Sequence, residues 1–313
     1  MNLVLPPRPI KRVAVLGLGL IGGSVALRCQ QKGYRIVGYD ADPATRAKAA
    51  QDFTVVETVA EAVAEADLVV LAVPLTAMGQ TAQELAEVVH PEATITDVGS
   101  VKAPVRAALE AAGFGDLYVG AHPMAGNQHT GYAFADPMLL VGAPWALTRV
   151  PTVPITGSSA KAPSDVTLNP SQAGTARYGE VFRWISDTFD ASIVELDDAE
   201  HDQAQALISG LPHVFAVELL NLLADSADSL LARQLAAGSF RDGTRVAHTD
   251  PDRTTALVVE NVKYIVPLLR KAADDLSQLA DRLAEDQQVN SYFHHADSLR
   301  DSAFCAAARL AAV

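Results

Sequence analysis

Short apolar runs alternate with amphipathic segments along the first half of the chain. The runs lie at 12–18, 35–40, 66–74, 93–100 and 117–123, and helical spacing of apolar residues occupies about 43–51, 58–65, 76–89 and 102–112. Strands that alternate with helices predict a parallel sheet covered on both faces. Two later runs, 143–150 and 191–197, are expected to add strands. The fold class predicted is α/β, with a doubly wound, mostly parallel, Rossmann-like sheet.

The pattern changes twice in the second half. Residues 150–176 are rich in Pro, Ser, Thr and Gly and have no sustained apolar period, which predicts a long flexible surface loop. From Asp198 onward no strand pattern appears, and apolar residues recur at near-helical spacing, most clearly over 257–283. We therefore expect two domains, a dinucleotide-binding domain at 1–197 and an all-helical domain at 198–313.

Composition and charge narrow the class of protein. The formal net charge is −13, which argues against binding to nucleic acid because that binding needs a basic surface. The two cysteines, Cys29 and Cys305, lie in apolar helical patterns, so we expect buried free thiols and a cytoplasmic protein. Beyond the glycine-broken run near the N-terminus, no uninterrupted apolar run reaches the ~20 residues of a membrane span, so no membrane is expected as a partner.

A glycine motif follows the first predicted strand. Gly17, Gly19 and Gly22 form G-x-G-x-x-G at the start of a helix, and Asp40 ends the next strand 18 residues later. Such a loop lets a pyrophosphate approach the backbone at a helix N-terminus, and the acid binds the ribose hydroxyls. The cofactor expected is NAD rather than NADP, since Asp40 would repel a 2′-phosphate. The expected cofactor-binding residues are Gly17, Gly19, Leu20, Ile21, Gly22, Asp40, Val73, Pro74 and Ser100.

Two polar residues stand where predicted strands end. Ser100 follows the run at 93–98, and His122 follows the run at 117–121. Ligands of an open parallel sheet lie at the carboxyl ends of its strands. A histidine there can take a proton from a substrate hydroxyl, because its ordinary pKa of ~6.5 lies near working pH. Position alone leaves a second interpretation equally open, a structural histidine bonded to nearby backbone.

Five segments resemble, in order, the prephenate and arogenate dehydrogenases. They are "GLGLIGGSVA" (17–26), "DVGSVK" (97–102), "HPMAG" (122–126), "HDQAQALISGLPH" (201–213) and "GSFRDGTRVAHTDP" (238–251), and the similarity extends from about 12 to 285. The resemblance implies an NAD-dependent oxidoreductase of tyrosine biosynthesis. An enzyme of this kind converts prephenate by oxidative decarboxylation to 4-hydroxyphenylpyruvate, or arogenate to tyrosine. It also implies a homodimer formed through the helical domain.

The resemblance also implies site residues. His122 corresponds to the catalytic histidine that binds the C4 hydroxyl, and Ser100 to a serine that orients this hydroxyl and the nicotinamide. The residues implied to bind substrate are Arg245, through a carboxylate, together with His213, Asp242, Asn127 and Gln128. From the residues alone, an ordinary salt bridge between Arg245 and Asp242 remains the alternative.

Three other residues leave simpler interpretations open. Lys102 either adds positive potential near Ser100 or is a solvated lysine in the first turn of a helix. His201 and Asp202 are expected to begin a helix rather than bind a metal, since no third ligand has useful spacing, and no metal is expected.

Departures from the family pattern concentrate at the expected pocket mouth. Gly210 stands where the family often has the first histidine of "SHLPH", and "DPDRTTAL" lacks a tryptophan common after "DP". Asn127 and Gln128 replace a common Thr-Glu. Both prephenate and arogenate therefore stay open as substrates. Two remoter alternatives are a β-hydroxyacid-type dehydrogenase, which would need a catalytic lysine that 198–225 lacks, and a non-catalytic NAD-binding regulator.

Overall fold

The 313-residue chain is described by a computed structural model at residues 5–127, 129–149, 170–285 and 289–297. The strands are β1 (Arg12–Leu16), β2 (Arg35–Tyr39), β3 (Thr54–Val55), β4 (Leu68–Leu71), β5 (Thr94–Asp97), β6 (Tyr118–Pro123), β7 (Trp145–Thr148) and β8 (Ile193–Leu196). The helices of the first 200 residues are α1 (Leu20–Gln31), α2 (Pro43–Ala49), α3 (Val59–Val63), α4 (Met78–Leu85), α5 (Ala103–Ala111) and α6 (Pro170–Phe189). They are followed by α7 (Asp198–Gln205), α8 (Leu211–Asp225), α9 (Ser229–Leu235), α10 (Gly238–Thr244), α11 (Pro251–Glu260) and α12 (Val262–Ala284).

The strands form one sheet in the order β3-β2-β1-β4-β5-β6-β7-β8. All neighbouring pairs are parallel except β6 and β7, which are antiparallel. The first six strands have the Rossmann order, whose switch point lies between β1 and β4. The predicted fold class is confirmed, as are the two late strands. The sequence prediction missed β3, because two residues are too few for a strand pattern.

Apolar strands place a core on each side of the sheet. All residues of β4 are buried, and so are four of the five in β1, as expected for strands covered on both faces. One core joins α1 and α6 to the sheet and includes Cys29, a buried free thiol as predicted. The other core joins α3, α4 and α5 to the opposite face. Cys305 lies outside the described residues.

The start of α6 corrects part of the predicted loop. Residues 170–176, expected to be flexible, belong to this helix, whereas 150–169 lie outside the described residues. Ala173 is buried in the helix, and Arg177 is buried with its guanidinium donating to the carbonyls of Pro91 and Ala93. Packing against the body of the domain therefore outweighs the Ser- and Gly-rich composition, and a proline is tolerated in the first turn of a helix.

The helical half begins with a continuous stretch of 28 residues, Asp198–Asp225. Asp197 caps it in a reciprocal box with Glu200, and one π-helical turn, Ala206–Gly210, separates α7 from α8. By length and composition alone this stretch could cross a membrane, although it contains no uninterrupted apolar run of that length. Its first turns are tied to the sheet domain, as described below, which is the behaviour of a packed helix.

The described helices break at Asn261, within the region of near-helical apolar spacing. Contacts divide the chain into compact units at 1–261 and 262–313, so α7 to α11 group with the sheet. Polar contacts help to join these helices to the sheet. Arg106 of α5 pairs with Asp198, and the Asn261 side-chain amide donates to the Asp202 carbonyl at 2.7 Å. The domain boundary at 197/198 stays a prediction.

Candidate active site

The glycine loop between β1 and α1 has the shape of a dinucleotide cradle. Gly17 has a φ of +92°, and a Cβ added to it would stand 2.5 Å from the Ala72 carbonyl oxygen, beside the amide of Val73. A Cβ on Gly22 would stand 1.9 Å from the Gly17 oxygen, whereas one on Gly19 would meet nothing within 4 Å. Glycine is thus required at 17 and 22 by packing, and the loop leaves open space at Gly19, where a pyrophosphate approaches the helix N-terminus.

Asp40 organises this cradle from the end of β2. Its carboxylate accepts the amide of Leu18 at 2.7 Å and the amide of Asp42 at 2.9 Å. Asp42, not Asp40, caps α2 through the amides of Ala44 and Thr45. Each Asp40 oxygen retains a lone pair for a ribose hydroxyl. The other predicted cofactor residues surround the same loop: Leu20 and Ile21 in the first turn of α1, and Val73 and Pro74 after β4.

We expect Asp40→Asn to lower kcat/KM for NAD about tenfold and to narrow the gap between NAD and NADP. The reason is the loss of charge-assisted hydrogen bonds to the ribose and of the repulsion against a 2′-phosphate. Initial rates with each cofactor measure it. Asp42→Asn is the matched control, since it changes the same charge two residues away and keeps a good cap. Equal efficiency of the wild-type protein with both cofactors would contradict the assignment.

His122 lies near the end of β6 and contacts a second histidine. Its Nδ1 is 3.0 Å from Nε2 of His201, a residue of α7. Nδ1 of His201 is in turn 2.8 Å from Oδ1 of Asp202. Oδ1 of Asp202 accepts a hydrogen bond from Nδ1–H of His201, and the neutral tautomer with that proton leaves Nε2 of His201 as an acceptor. His122 must then donate from Nδ1, which leaves a free lone pair on its Nε2. The described partner of His122 is thus a side chain, not the backbone.

Burial and neighbouring positive charge lower the pKa of His122 well below its ordinary value of 6.5. Burial is the largest cause, followed by the neighbouring ring of His201 and by the positive charges of Lys102 and Arg253. The sequence-based prediction of a base used the ordinary pKa of ~6.5, which the structure lowers. Because the pKa is lowered, the ring is neutral and able to accept a proton at neutral pH.

Asp202 connects this pair of histidines to α5. Its two oxygens accept the backbone amides of Lys102 at 2.7 Å and Ala103 at 2.9 Å. Asp202 therefore caps α5, whose own N-cap side chain makes no cap bond, while it orients His201. The sequence assigned His201 and Asp202 only to the start of a helix. Their proximity to His122 across 79 residues was not visible in the spacing.

Lys102 is fully buried, so the interpretation as a solvated lysine is wrong. Its ammonium pairs with the buried Asp97 and donates to the Ala121 carbonyl at 2.8 Å, next to His122. Burial lowers the pKa of Lys102, and the charge of Asp97 opposes that shift. Asp97 also accepts the Tyr118 hydroxyl at 2.8 Å. The charge of Lys102 acts on His122, whereas positive potential near Ser100 stays a prediction.

The remaining predicted residues near His122 lie on two loops. Ser100 is half-buried between β5 and α5, and its hydroxyl has no hydrogen-bond partner in the described part of the chain. Asn127 accepts the His129 amide at 2.8 Å and so shapes the loop after β6. Gln128 lies outside the described residues.

A second group of predicted residues gathers around α8. His213 Nδ1 donates to the Ser209 carbonyl at 2.8 Å, and its Nε2 is 3.3 Å from the hydroxyl of Thr249. The 3-10 turn that starts at Arg245 packs against α8, and Arg245 is exposed. Asp242 is exposed on α10. Over the described ranges, Arg245 and Asp242 form no salt bridge, so the alternative of an ordinary pair is not realised.

Comparison with known proteins identifies both halves of the chain. Residues 24–160 match the family described as prephenate dehydrogenase, nucleotide-binding domain, and residues 197–296 match prephenate dehydrogenase, dimerization domain. The chain is 31% identical to a cyclohexadienyl dehydrogenase of Zymomonas mobilis, covering 88% of this chain and 89% of that protein. It is 30% identical to a prephenate dehydrogenase of Bacillus subtilis, covering 92% and 75%.

A solved structure has the same fold. It is the prephenate dehydrogenase of A. aeolicus in complex with hydroxyphenyl propionate and NAD+, with a TM-score of 0.78 and 24% identity over 94% of this chain and 98% of that one. The glycine cradle and Asp40 fit NAD, the cofactor bound there. With both family domains matched in order, the chain belongs to the prephenate dehydrogenase family of NAD-dependent oxidoreductases.

Proposed function

We propose that this protein is a prephenate dehydrogenase. It catalyses the oxidative decarboxylation of prephenate to 4-hydroxyphenylpyruvate and CO2. The observation that carries the proposal is the hydrogen-bonded chain His122–His201–Asp202 at the carboxyl edge of the sheet. The tautomers assigned above leave Nε2 of His122 unprotonated. A base there, beside the cradle for NAD, suits the removal of a hydroxyl proton and a hydride from one carbon.

His122 moves the proton in this reaction. Its Nε2 accepts the proton of the C4 hydroxyl, and NAD supplies the hydride acceptor for the hydrogen on C4. The bond between the ring and its carboxylate then breaks, CO2 leaves, and the bonding electron pair makes the ring aromatic with negative charge on the C4 oxygen. His122 returns the proton to that oxygen. Aromatisation makes the step effectively irreversible.

The other predicted residues hold the substrate. Arg245 binds a substrate carboxylate, with His213 and Asp242 on the same side of the pocket. Ser100 orients the C4 hydroxyl, and Asn127 lines the pocket mouth, while a role of Gln128 in binding substrate stays a prediction from the resemblance. The free hydroxyl of Ser100 and the exposed guanidinium of Arg245 support these roles.

Initial rates of NADH formation with prephenate and with arogenate test the function directly. We expect a higher kcat/KM with prephenate. A higher value with arogenate would identify the second candidate, an arogenate dehydrogenase that forms tyrosine. No turnover of either substrate, with NAD still bound, would contradict both and favour a non-catalytic NAD-binding protein.

We expect Arg245→Ala to raise KM for prephenate and leave the Kd for NAD unchanged. Loss of a charge-assisted hydrogen bond from the exposed Arg245 to a substrate carboxylate costs about 1.5–3 kcal/mol of binding. Steady-state kinetics and NAD titration measure the two effects. Arg241→Ala removes an exposed arginine from the neighbouring helix and serves as control. An equal loss of affinity for NAD and for prephenate would mean that Arg245 supports the fold instead.

We also propose that the enzyme is a cytoplasmic homodimer, formed through the helical half. Support comes from the match to a dimerization domain and from apolar side chains exposed on the stretch 198–225 and on α9. They include Leu207, Ile208, Leu219, Leu222, Leu230 and Leu235. We expect light scattering at micromolar concentration to give the mass of a dimer, and Ile208→Glu with Leu222→Glu to weaken it. A wild-type monomer under those conditions would refute the proposal.

A further inference from the structure

Arg253 borders the loop that follows His122. It lies in the first turn of α11, where its amide donates to the capping Asp250 at 3.0 Å, and α11 packs against the turns at 75–77 and 206–210. Its Nη2 is 3.8 Å from the point where a Cβ on Gly126 would stand, and Cδ1 of Ile21 is 4.0 Å from the same point. The guanidinium thus reaches the space between the first turn of α1 and the "HPMAG" loop.

The charge of Arg253 is exposed and unbalanced. Within the described ranges no carboxylate lies within salt-bridge distance of its guanidinium, although the whole chain carries a net charge of −13. Its charge is among those that act on His122. An exposed, unpaired guanidinium beside the loop that follows His122, near the first turn of α1, is suited to bind a carboxylate of the substrate.

We propose that Arg253 binds the carboxylate of the substrate side chain and favours a keto-acid side chain over an amino-acid one. This inference rests on the proposed function. When the C4 hydroxyl meets His122, the opposite ring carbon, which carries both the side chain and the ring carboxylate, lies on the side away from the partly buried histidine, and the exposed guanidinium beside Gly126 is placed to reach the side-chain carboxylate. The proposal leaves the ring carboxylate to Arg245, so that each of the two carboxylates of prephenate has one arginine.

The proposal explains how the pocket chooses between the two candidate substrates. The side chain of prephenate carries a single negative charge, whereas that of arogenate adds an ammonium group and is neutral overall. Arg253 attracts both carboxylates but repels the ammonium group. The preference for prephenate is therefore expected to depend on the charge of Arg253.

Ligands that lack the ring carboxylate separate the two carboxylate sites. We would titrate the enzyme saturated with NAD with 4-hydroxyphenylpropionate and with its uncharged amide, 3-(4-hydroxyphenyl)propionamide. Arg253→Gln is expected to weaken binding of the acid about tenfold or more and to leave binding of the amide unchanged. Arg253→Lys restores part of the affinity. Arg233→Gln, an exposed arginine on α9, is the control and changes neither ligand.

Steady-state kinetics completes the test. In Arg253→Gln, kcat/KM for prephenate falls and that for arogenate changes less, so the preference narrows. Four results would overturn the inference. In Arg253→Gln they are equally weakened binding of the acid and the amide, unchanged binding of both, or a loss of affinity for NAD alone, which would assign Arg253 to the cofactor diphosphate. The fourth is a wild-type protein that does not bind the acid. Absence of turnover in the wild-type protein would instead defeat the proposed function, and the binding titrations would still decide the role of Arg253.

Discussion

His122→Asn is expected to lower kcat by about 10²–10⁴-fold while folding and NAD binding persist. That range is the usual contribution of a positioned general base. Asparagine can still hydrogen-bond to His201, so the loop after β6 keeps its support. Single-turnover or steady-state rates, together with an NAD titration and a melting curve, measure the three quantities. A stable variant with near-normal turnover would remove His122 from the mechanism.

The pH dependence gives the same prediction a second readout. The base acts when neutral, and its pKa is lowered, so the wild-type rate is expected to stay constant as pH falls through 6.5 and to decline only well below it. The asparagine side chain of the variant cannot titrate, so that acid limb should vanish. A wild-type limb centred near 6.5 would show that the substrate-bound site does not lower the pKa of His122.

The same shift affects stability. Between the lowered pKa of the folded state and the ordinary pKa of ~6.5 in the unfolded chain, the unfolded state binds more protons, so stability falls as pH falls below 6.5. This component should be absent in His122→Asn. Melting temperatures of both proteins at pH 7 and pH 5 test it.

Lys102→Met is expected to lower the free energy of unfolding by about 3–5 kcal/mol, the cost of leaving one member of a buried ion pair without its partner. Asp97 would keep a buried charge whose remaining donors are the Tyr118 hydroxyl and two backbone amides. Denaturant unfolding followed by fluorescence measures the change.

Two further variants make the Lys102 result specific. Lys48→Met removes an exposed lysine on α2 and should alter the unfolding free energy by less than about 0.5 kcal/mol. Asp97→Asn added to Lys102→Met removes the orphaned charge and should recover part of the loss. A Lys102→Met protein as stable as the Lys48→Met protein would contradict the buried pair.

The parts of the fold that local pattern controls could be predicted from the sequence. Apolar runs between helical segments indicated the parallel sheet, and the glycine spacing indicated the cofactor loop, because both depend on neighbours within about 25 residues. The helical start of α6 could not be predicted, since its stability comes from contacts of Ala173 and Arg177 with distant segments. The same holds for β3, which exists only by pairing with β2.

Contacts between distant segments also limit what could be predicted of the candidate active site. His122 could be found because a strand end and a family motif coincide there. The partner His201, its acid Asp202 and the buried Lys102 depend on contacts between segments far apart in sequence. The burial of Lys102 could not be predicted from the sequence. Its partner Asp97 lies in a predicted strand, and nothing in the sequence indicates that the two charges are buried together. Arg253 could not be predicted either, because its position beside Gly126 depends on a contact between segments far apart in sequence.

The capping of α5 by Asp202 has a consequence for the energy of the reaction. Both carboxylate oxygens are fixed by backbone amides, and these amides belong to a helix packed on the sheet. The orientation of His201, and through it the tautomer of His122, is therefore set before substrate arrives. The electrostatic environment is preorganised, so little reorganisation energy has to be added to the barrier when the proton moves. Under the proposed mechanism, the contacts that stabilise this part of the fold also lower the barrier to proton transfer.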